Sequence, residues 1–296
     1  MAVTNPNSEF KVFRFKVVLF GATSSPFALH AVLFHHLQQS HTLTAANMLR
    51  NLYVDNVITE CITQQQATQF YCKSRSIMSE ARLNLQAWAS NCTQLNTLAQ
   101  QENVADSTIL VNVLDLQWDT VTDKLHFIPK MILPQKHTTV VVTKRYVLQQ
   151  SSRVFDPIGY LAPVTIQVKL FLKKLWQHKI NRDDPLENSL KDEWLTIAHE
   201  IEDATTVFML RQYSAINSSD TSLQLHVFAD ANLKAYETVA YLTAGDNVNF
   251  ITAKSWTAPV KILTLPRLEL MAVVLATRVS KFIANSLSLQ AIPLHP

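Results

Sequence analysis

The sequence has 296 residues, 48% of them hydrophobic and 17% charged, with a formal net charge of +3 and a pI near 8.7. That composition excludes an intrinsically disordered chain. The basic excess is compatible with nucleic acid but too small to be diagnostic of it.

Cys61, Cys72 and Cys92 show neither CxxC nor Cys/His finger spacing. This argues against a disulfide framework or structural zinc and for a reducing, intracellular compartment, cytoplasmic or nuclear. "MAVTNPNSEF" lacks a signal-peptide pattern. The uncharged stretch Val17 to Phe34 contains Ser24, Ser25, Pro26 and His30. It reads as strand, turn and helix rather than a membrane span, so no membrane partner is expected. There are only 3 glycines, where an average chain of this length holds roughly 20. Turns that need positive φ must therefore use Asn, Asp or strained residues.

In chain order, "FRFKVVLF" predicts a strand and "GATSSP" a turn in which Ser24 or Ser25 caps a helix with Pro26 in its first turn. That helix, "FALHAVLFHHLQQ", is apolar on a broad face and reads as a core helix. "NLYVDNVIT" predicts strand, turn and strand, with Asp55 and Asn56 in the turn. Residues 62–90 read as helical, ending in "NLQAWASN". "STILVNVLDLQWD" is strand-like, and "TVTDKLHF" predicts a hairpin. Pro157 and Pro163 interrupt two helical pieces between residues 143 and 182. "LQLHVFADA" alternates, with Leu223, Leu225 and Val227 on one face. "AYETVAYLT" and "VNFITAKSW" follow at hairpin spacing, and "LPRLELMAVVLATRVSKFIANSL" predicts a helix with Pro266 near its start. The whole reads as α+β, in blocks 1–105, 106–221 and 222–296.

Seven segments carry a resemblance: "FRFKVVLFGATSSPFALHAVL", "NLYVDNVITE", "NLQAWASN", "VLDLQWD", "TKRYVLQQSSRVFDPIGYLAPVTIQVKLFLKKLW", "FADANLKAYETVAYL" and "AKSWTAPVKILTLPRLELMA". In this order they resemble the Pol polyprotein of BEL/Pao retrotransposons over nearly the whole chain. The resemblance implies a reverse transcriptase palm and thumb remnant (1–105), a connection region (106–221) and the N-terminal half of an RNase H-like domain (222–296). That last unit is expected as three antiparallel strands plus a helix. From about residue 140 the chain resembles what is catalogued as the Pao retrotransposon peptidase family. An aspartic peptidase needs Asp-Thr-Gly or Asp-Ser-Gly loops with paired carboxylates. The glycines here follow Phe20, Ile158 and Ala244, so no such loop exists.

The resemblance places "YVDN" at the Tyr-x-Asp-Asp hairpin of reverse transcriptases, where carboxylates clamp two metal ions roughly 3.5–4 Å apart. Asp55 matches the first aspartate, and the uncharged Asn56 stands at the second. The partner aspartate of the palm is expected upstream of "FRFKVVLFG", where Glu9 is the sole acid. Asp55 is therefore expected to descend from a metal ligand and to serve here as a turn residue. Gly21 in "FGATSSPF" would allow close backbone approach at the nucleotide-lining segment of the family.

By the same resemblance, Asp230 and Glu269 match the first two RNase H metal ligands, the remaining ligands being expected beyond Pro296. The residue-level alternatives are a strand-end carboxylate for Asp230 and a first-turn helix acid for Glu269. Mg2+ is the family's cofactor, expected to bind weakly or not at all with so few carboxylates. "KLFLKKLWQHKINR" supplies Lys169, Lys173, Lys174, Lys179 and Arg182 without an acid. They read either as phosphate contacts to an RNA/DNA hybrid or template–primer, or as the solvated face of an amphipathic helix.

The family pattern has glycine where this chain has Glu60, Asp115 and Glu237, which suggests substitution without selection for turn geometry. Asp115 would be strained if its φ were positive, and Glu237 could be buried or crowd Asp230. The expected function is a truncated Pol fragment derived from an RNA-directed DNA polymerase with ribonuclease H, inactive alone. A domesticated, non-catalytic nucleic-acid-binding module and a poorly folding relic are the alternatives.

Overall fold

Ser24 stands at the N-cap of the first helix in the computed structural model, which describes residues 17, 19, 21–128, 140–213 and 223–287. The strand expected over "FRFKVVLF" lies outside the described residues except for Val17 and Leu19. The chain divides into two units, Met1–Thr108 and Ile109–Pro296.

In the first unit, α1 (Ser25–Gln39) has Pro26 in its first turn, but Ser24 makes no side-chain capping bond. Ser25 Oγ donates instead to the Leu19 carbonyl. Of the apolar face expected to be broadly buried, only Leu33 and Leu37 are enclosed. Phe27, Val32 and Phe34 are exposed. The physical reason is the size of the partners. α2 (Leu43–Arg50) and α3 (Gln64–Glu80) offer Ala45, Met48, Ile77 and Met78, enough to cover one stripe and not a broad face.

Thr42 caps α2 by accepting from Ala45 N at 3.1 Å. Thr63 and Gln66 form a reciprocal capping box at the start of α3. The helix expected over 62–90 ends at Glu80, and Arg82 follows with φ 57°. Residues beyond it run extended, and Trp88 bridges Ala105 in parallel, past α4 (Thr93–Gln101). Buried Tyr71 packs edge-on against Trp88, with ring centroids 4.7 Å apart, so tertiary packing stops the helix from continuing. Between α2 and α3, β1 (Leu52–Tyr53) and β2 (Asn56–Val57) make a minimal hairpin.

The second unit contains an antiparallel sheet in the order β3 (Leu110–Val113), β4 (Leu116–Asp119), β5 (Lys124–Phe127) and β6 (Phe208–Leu210). "STILVNVLDLQWD" is thus two strands, folded back at Leu114 and Asp115 with φ of 51° and 62°. Two consecutive residues at positive φ match the twist of a tight hairpin. β6 joins from far along the chain, and Arg211 just after it makes a bidentate pair with Asp123, at 2.5 and 2.9 Å. Trp118 Nε1 also donates to Asp123, at 2.9 Å.

α5 (Lys144–Ser151), α6 (Ala162–Gln177) and α7 (Asn188–Ala204) enclose the main core. Leu190, Trp194, Ile197, Ala198 and Ile201 recur at helical spacing on α7 and face Phe171 and Leu175 of α6. Phe171 and Trp194 stack with ring centroids 6.1 Å apart.

The three-stranded sheet runs β7 (Leu223–Ala231), β8 (Ala235–Ala244) and β9 (Asn247–Thr257), all antiparallel. α8 (Leu265–Ser286) packs Leu275, Val279 and Ile283 on Leu225, Val227 and Ala240. The expected alternation and the three-strand-plus-helix order are both observed. The outer edge of β9 is covered: Ala253 N and Thr252 Oγ1 each donate to the Ile158 carbonyl at 2.8 Å. Gly159, at φ +78°, lies so close to Ala253 that a Cβ there would overlap its carbonyl oxygen.

Candidate functional site

The first unit presents Asp55. Register pairs Leu52 with Val57 and Tyr53 with Asn56, so the two loop residues are Val54 and Asp55. The expected Asp55–Asn56 turn is corrected by one position, because Asn56 already belongs to β2. Val54 adopts φ 55°, a conformation that opposes a β-branched side chain. Tyr53, Val54, Asp55 and Asn56 are all exposed. A polar network that sequence reasoning missed pins the base of the hairpin to α2. Thr59 Oγ1 donates to Asn47 Oδ1 at 2.8 Å, and Asn51 Nδ2 donates to the same oxygen at 2.9 Å. The Asn-x-x-x-Asn spacing on one helix face was the available signal.

In the second unit, Asp230 lies near the end of β7, directly opposite Glu237 on β8, which in turn lies opposite Ser255 on β9. Cross-strand partners share a face, so two exposed carboxylates stand side by side. Glu237 therefore crowds Asp230 and is not buried. Asn232 Oδ1 accepts from the amides of Lys234 and Ala235, at 2.8 and 2.9 Å, and shapes the β7–β8 turn beside this pair.

Asp230 alternates with Val227 and Leu225, which pack against α8. Glu269 is exposed on α8 and is its fifth residue, so it lies in the second turn and not the first. Pro266 and Leu265 occupy the first turn and displace it. Among the described residues no three His, Cys, Asp or Glu side chains gather as a metal site. Among the described residues the carboxylates therefore assemble no closed two-ion site.

The basic segment divides in two. Lys169 Nζ donates to the Ser255 carbonyl at 2.7 Å and to its Oγ at 3.3 Å. Lys173 Nζ donates to the Ala258 carbonyl at 2.6 Å, and Lys174 pairs with Glu193 at 2.6 Å. These three ammoniums serve the fold, fastening α6 to β9 and to α7, which corrects the expectation of a wholly solvated basic face. Lys179 and Arg182 are exposed. Trp176 is also exposed, at 65%, with Lys144 Nζ 3.5 Å from its ring centroid. Arg145 lies nearby, held by Asp183 at 2.5 and 2.6 Å.

A cavity of about 600 Å³ opens between α5, the start of α6 and β9. Asp156, Lys169 and Lys254 are its charged lining. Burial pushes the Asp156 carboxyl up. The amides of Leu161, Tyr160 and Gly159 and the Lys254 charge oppose that shift. Burial pulls the Lys169 ammonium down; Asp156 opposes this and Lys254 adds to it. Asp156 and Lys254 escaped sequence reasoning because only the docking of the "FDPIG" loop on β9 brings them together.

No curated protein matches the sequence. A solved structure of the foamy viral protease–reverse transcriptase in complex with RNA/DNA hybrid is similar in fold, with TM-score 0.53 and 13% identity. The similarity covers 88% of this chain and 31% of that one. The same viral enzyme in complex with dsDNA is matched with TM-score 0.45 and 11% identity, over 92% of this chain and 49% of that one. The chain thus spans less than half of the length of these solved proteins. Residues 143–294 match the family model described as the Pao retrotransposon-like RNaseH-like domain. With the three-strand-plus-helix unit inside that match, and the match extending over more than half of the 296 residues, the chain belongs to the Pao retrotransposon RNaseH-like family.

Proposed function

We propose that this chain is a BEL/Pao Pol fragment, derived from an RNA-directed DNA polymerase with ribonuclease H, that binds an RNA/DNA hybrid or template–primer and does not cleave or extend it alone. On this reading residues 1–105 are a palm and thumb remnant, 106–221 a connection region and 222–296 the N-terminal half of an RNase H-like unit acting inside the cell. Asp55, Asp230 and Glu269 are ancestral Mg2+ ligands in incomplete sets. The observation that carries the reading is the RNaseH-like family match over a sheet and helix that display Asp230 and Glu269. The foamy viral neighbour supports the fold, and its hybrid supports the choice of ligand to test.

Binding is assigned to the exposed cations Lys179 and Arg182, beside Trp176 and Lys144, because a long nucleic-acid backbone is met by cations that stand out from the surface. The experiment is fluorescence anisotropy with a labelled RNA/DNA hybrid from about 50 to 200 mM salt, run beside a cleavage assay with Mg2+. Salt-sensitive binding without turnover is the expected result. Absence of binding at low salt refutes the binding assignment, and cleavage abolished by Asp230→Asn refutes the inactivity.

A further inference from the structure

The cavity between α5, α6 and β9 is not needed by the reading above and has the attributes of a small-molecule site. Its volume, about 600 Å³, lies within the roughly 300–1,000 Å³ typical of such sites. Two lysines, Lys169 and Lys254, belong to its wall. The one acid there, Asp156, is already committed: Oδ1 accepts from Tyr160 N at 2.8 Å and Oδ2 from Leu161 N at 2.9 Å. Each ammonium has three donors. Lys169 spends its known bonds on Ser255, and Lys254 makes a long one, 3.4 Å, to the Pro157 carbonyl. Cationic donors are left over, and the two lysines outnumber the one acid.

Ser151 and Ser152 also line the cavity. Their hydroxyls donate to the Leu148 and Gln149 carbonyls, at 3.0 and 2.8 Å. Their lone pairs therefore suit a ligand that brings hydroxyl donors of its own. Trp256 stands in the wall and is 56% exposed, an aromatic surface on which a flat ring can stack. We propose that this cavity binds a phosphomonoester with a hydroxyl-bearing, aromatic body, of the nucleoside monophosphate class. The phosphate meets Lys169 and Lys254, the sugar hydroxyls meet Ser151 and Ser152, and the ring lies on Trp256. A dianionic group with several oxygens matches two separate ammoniums better than a carboxylate does.

The test is isothermal titration of the full chain with adenosine monophosphate, and separately with adenosine and inorganic phosphate. Saturable one-to-one binding of the monophosphate, tighter than either part, is expected. Lys254 is exposed and fastens little, so Lys254→Met should fold as the parent does by thermal melt and weaken binding about tenfold or more. Trp256→Ala should weaken it independently. Lack of saturation with the monophosphate, or unchanged affinity in a folded Lys254→Met variant, overturns the proposal. Hybrid binding is measured alongside. If hybrid binds and the monophosphate does not, this inference fails alone. If the monophosphate displaces the hybrid, the cavity is part of the nucleic-acid surface and its separate role is lost.

Discussion

Val54, at φ 55°, shows what a chain with 3 glycines must do. Nine non-glycine residues among those described have positive φ, and only Asn103, Asp115 and Asp123 are of the types that tolerate it well. Of the three positions where a family glycine was expected, Asp115 alone has positive φ; Glu60 and Glu237 are ordinary exposed residues. Changing the Leu114–Asp115 turn to Asn-Gly should raise stability by roughly 1–2 kcal/mol, read as a higher Tm with the fold unchanged by circular dichroism. An unchanged Tm would mean the turn is not strained. Asp156 gives a second prediction. Its carboxyl is raised in the folded chain above the ordinary value of 3.8. The native state then holds its proton longer than the unfolded one, so this group's contribution to stability falls as pH rises from 3.8 through the raised value. Urea melts at several pH values in that window should show this slope, flattened in Asp156→Asn.

Elements are held less by their own propensity than by what they rest on. α3 stops at Glu80 because Tyr71 and Trp88 need the following segment extended. The segment before α6 is fixed by the Ile158 carbonyl, which takes two bonds from β9, and by Gly159, whose missing Cβ lets the loop touch Ala253. Gly159→Ala combines a steric overlap with an unfavourable φ. It should destabilise by at least about 1 kcal/mol and enlarge the exchange of β9 amides in hydrogen-exchange measurements; protection equal to the parent would contradict the docking. Within the helical core, Phe171→Ala removes a ring stacked on Trp194 and should cost about 3–5 kcal/mol. A loss under 1 kcal/mol in denaturant melts would mean that the two rings do not pack the α6–α7 interface closely.

For the whole molecule, mild net charge conceals a division of labour among the lysines. Lys169, Lys173 and Lys174 bind the fold together, and Lys179 and Arg182 face solvent. If the exposed pair meets phosphate, Lys179→Ala with Arg182→Ala should reduce the slope of log K against log salt by about 2. Lys174→Ala should leave the slope unchanged and cost at most about 1 kcal/mol of stability. Equal effects of the two variants on the slope would erase the distinction.

Periodicity alone was enough for β7, β8, β9 and α8, because each has one buried face and its alternation or helical stripe is written locally in Leu223, Leu225, Val227 and in Leu268, Ala272, Val279 and Ile283. The same holds for the starts of α1 and α6, where Pro26 and Pro163 act through their own backbone geometry. The Asp230–Glu237 neighbourhood was legible too, as hairpin spacing fixes register. Other features depended on residues far apart in sequence. The pairing of β6 with β5, the end of α3, the capture of three lysines by Ser255, Ala258 and Glu193, and the cavity of Asp156, Lys169 and Lys254 all arise from tertiary contacts. A local pattern records which face of an element is apolar; only the folded chain decides what that face, or a long charged side chain beside it, finally meets.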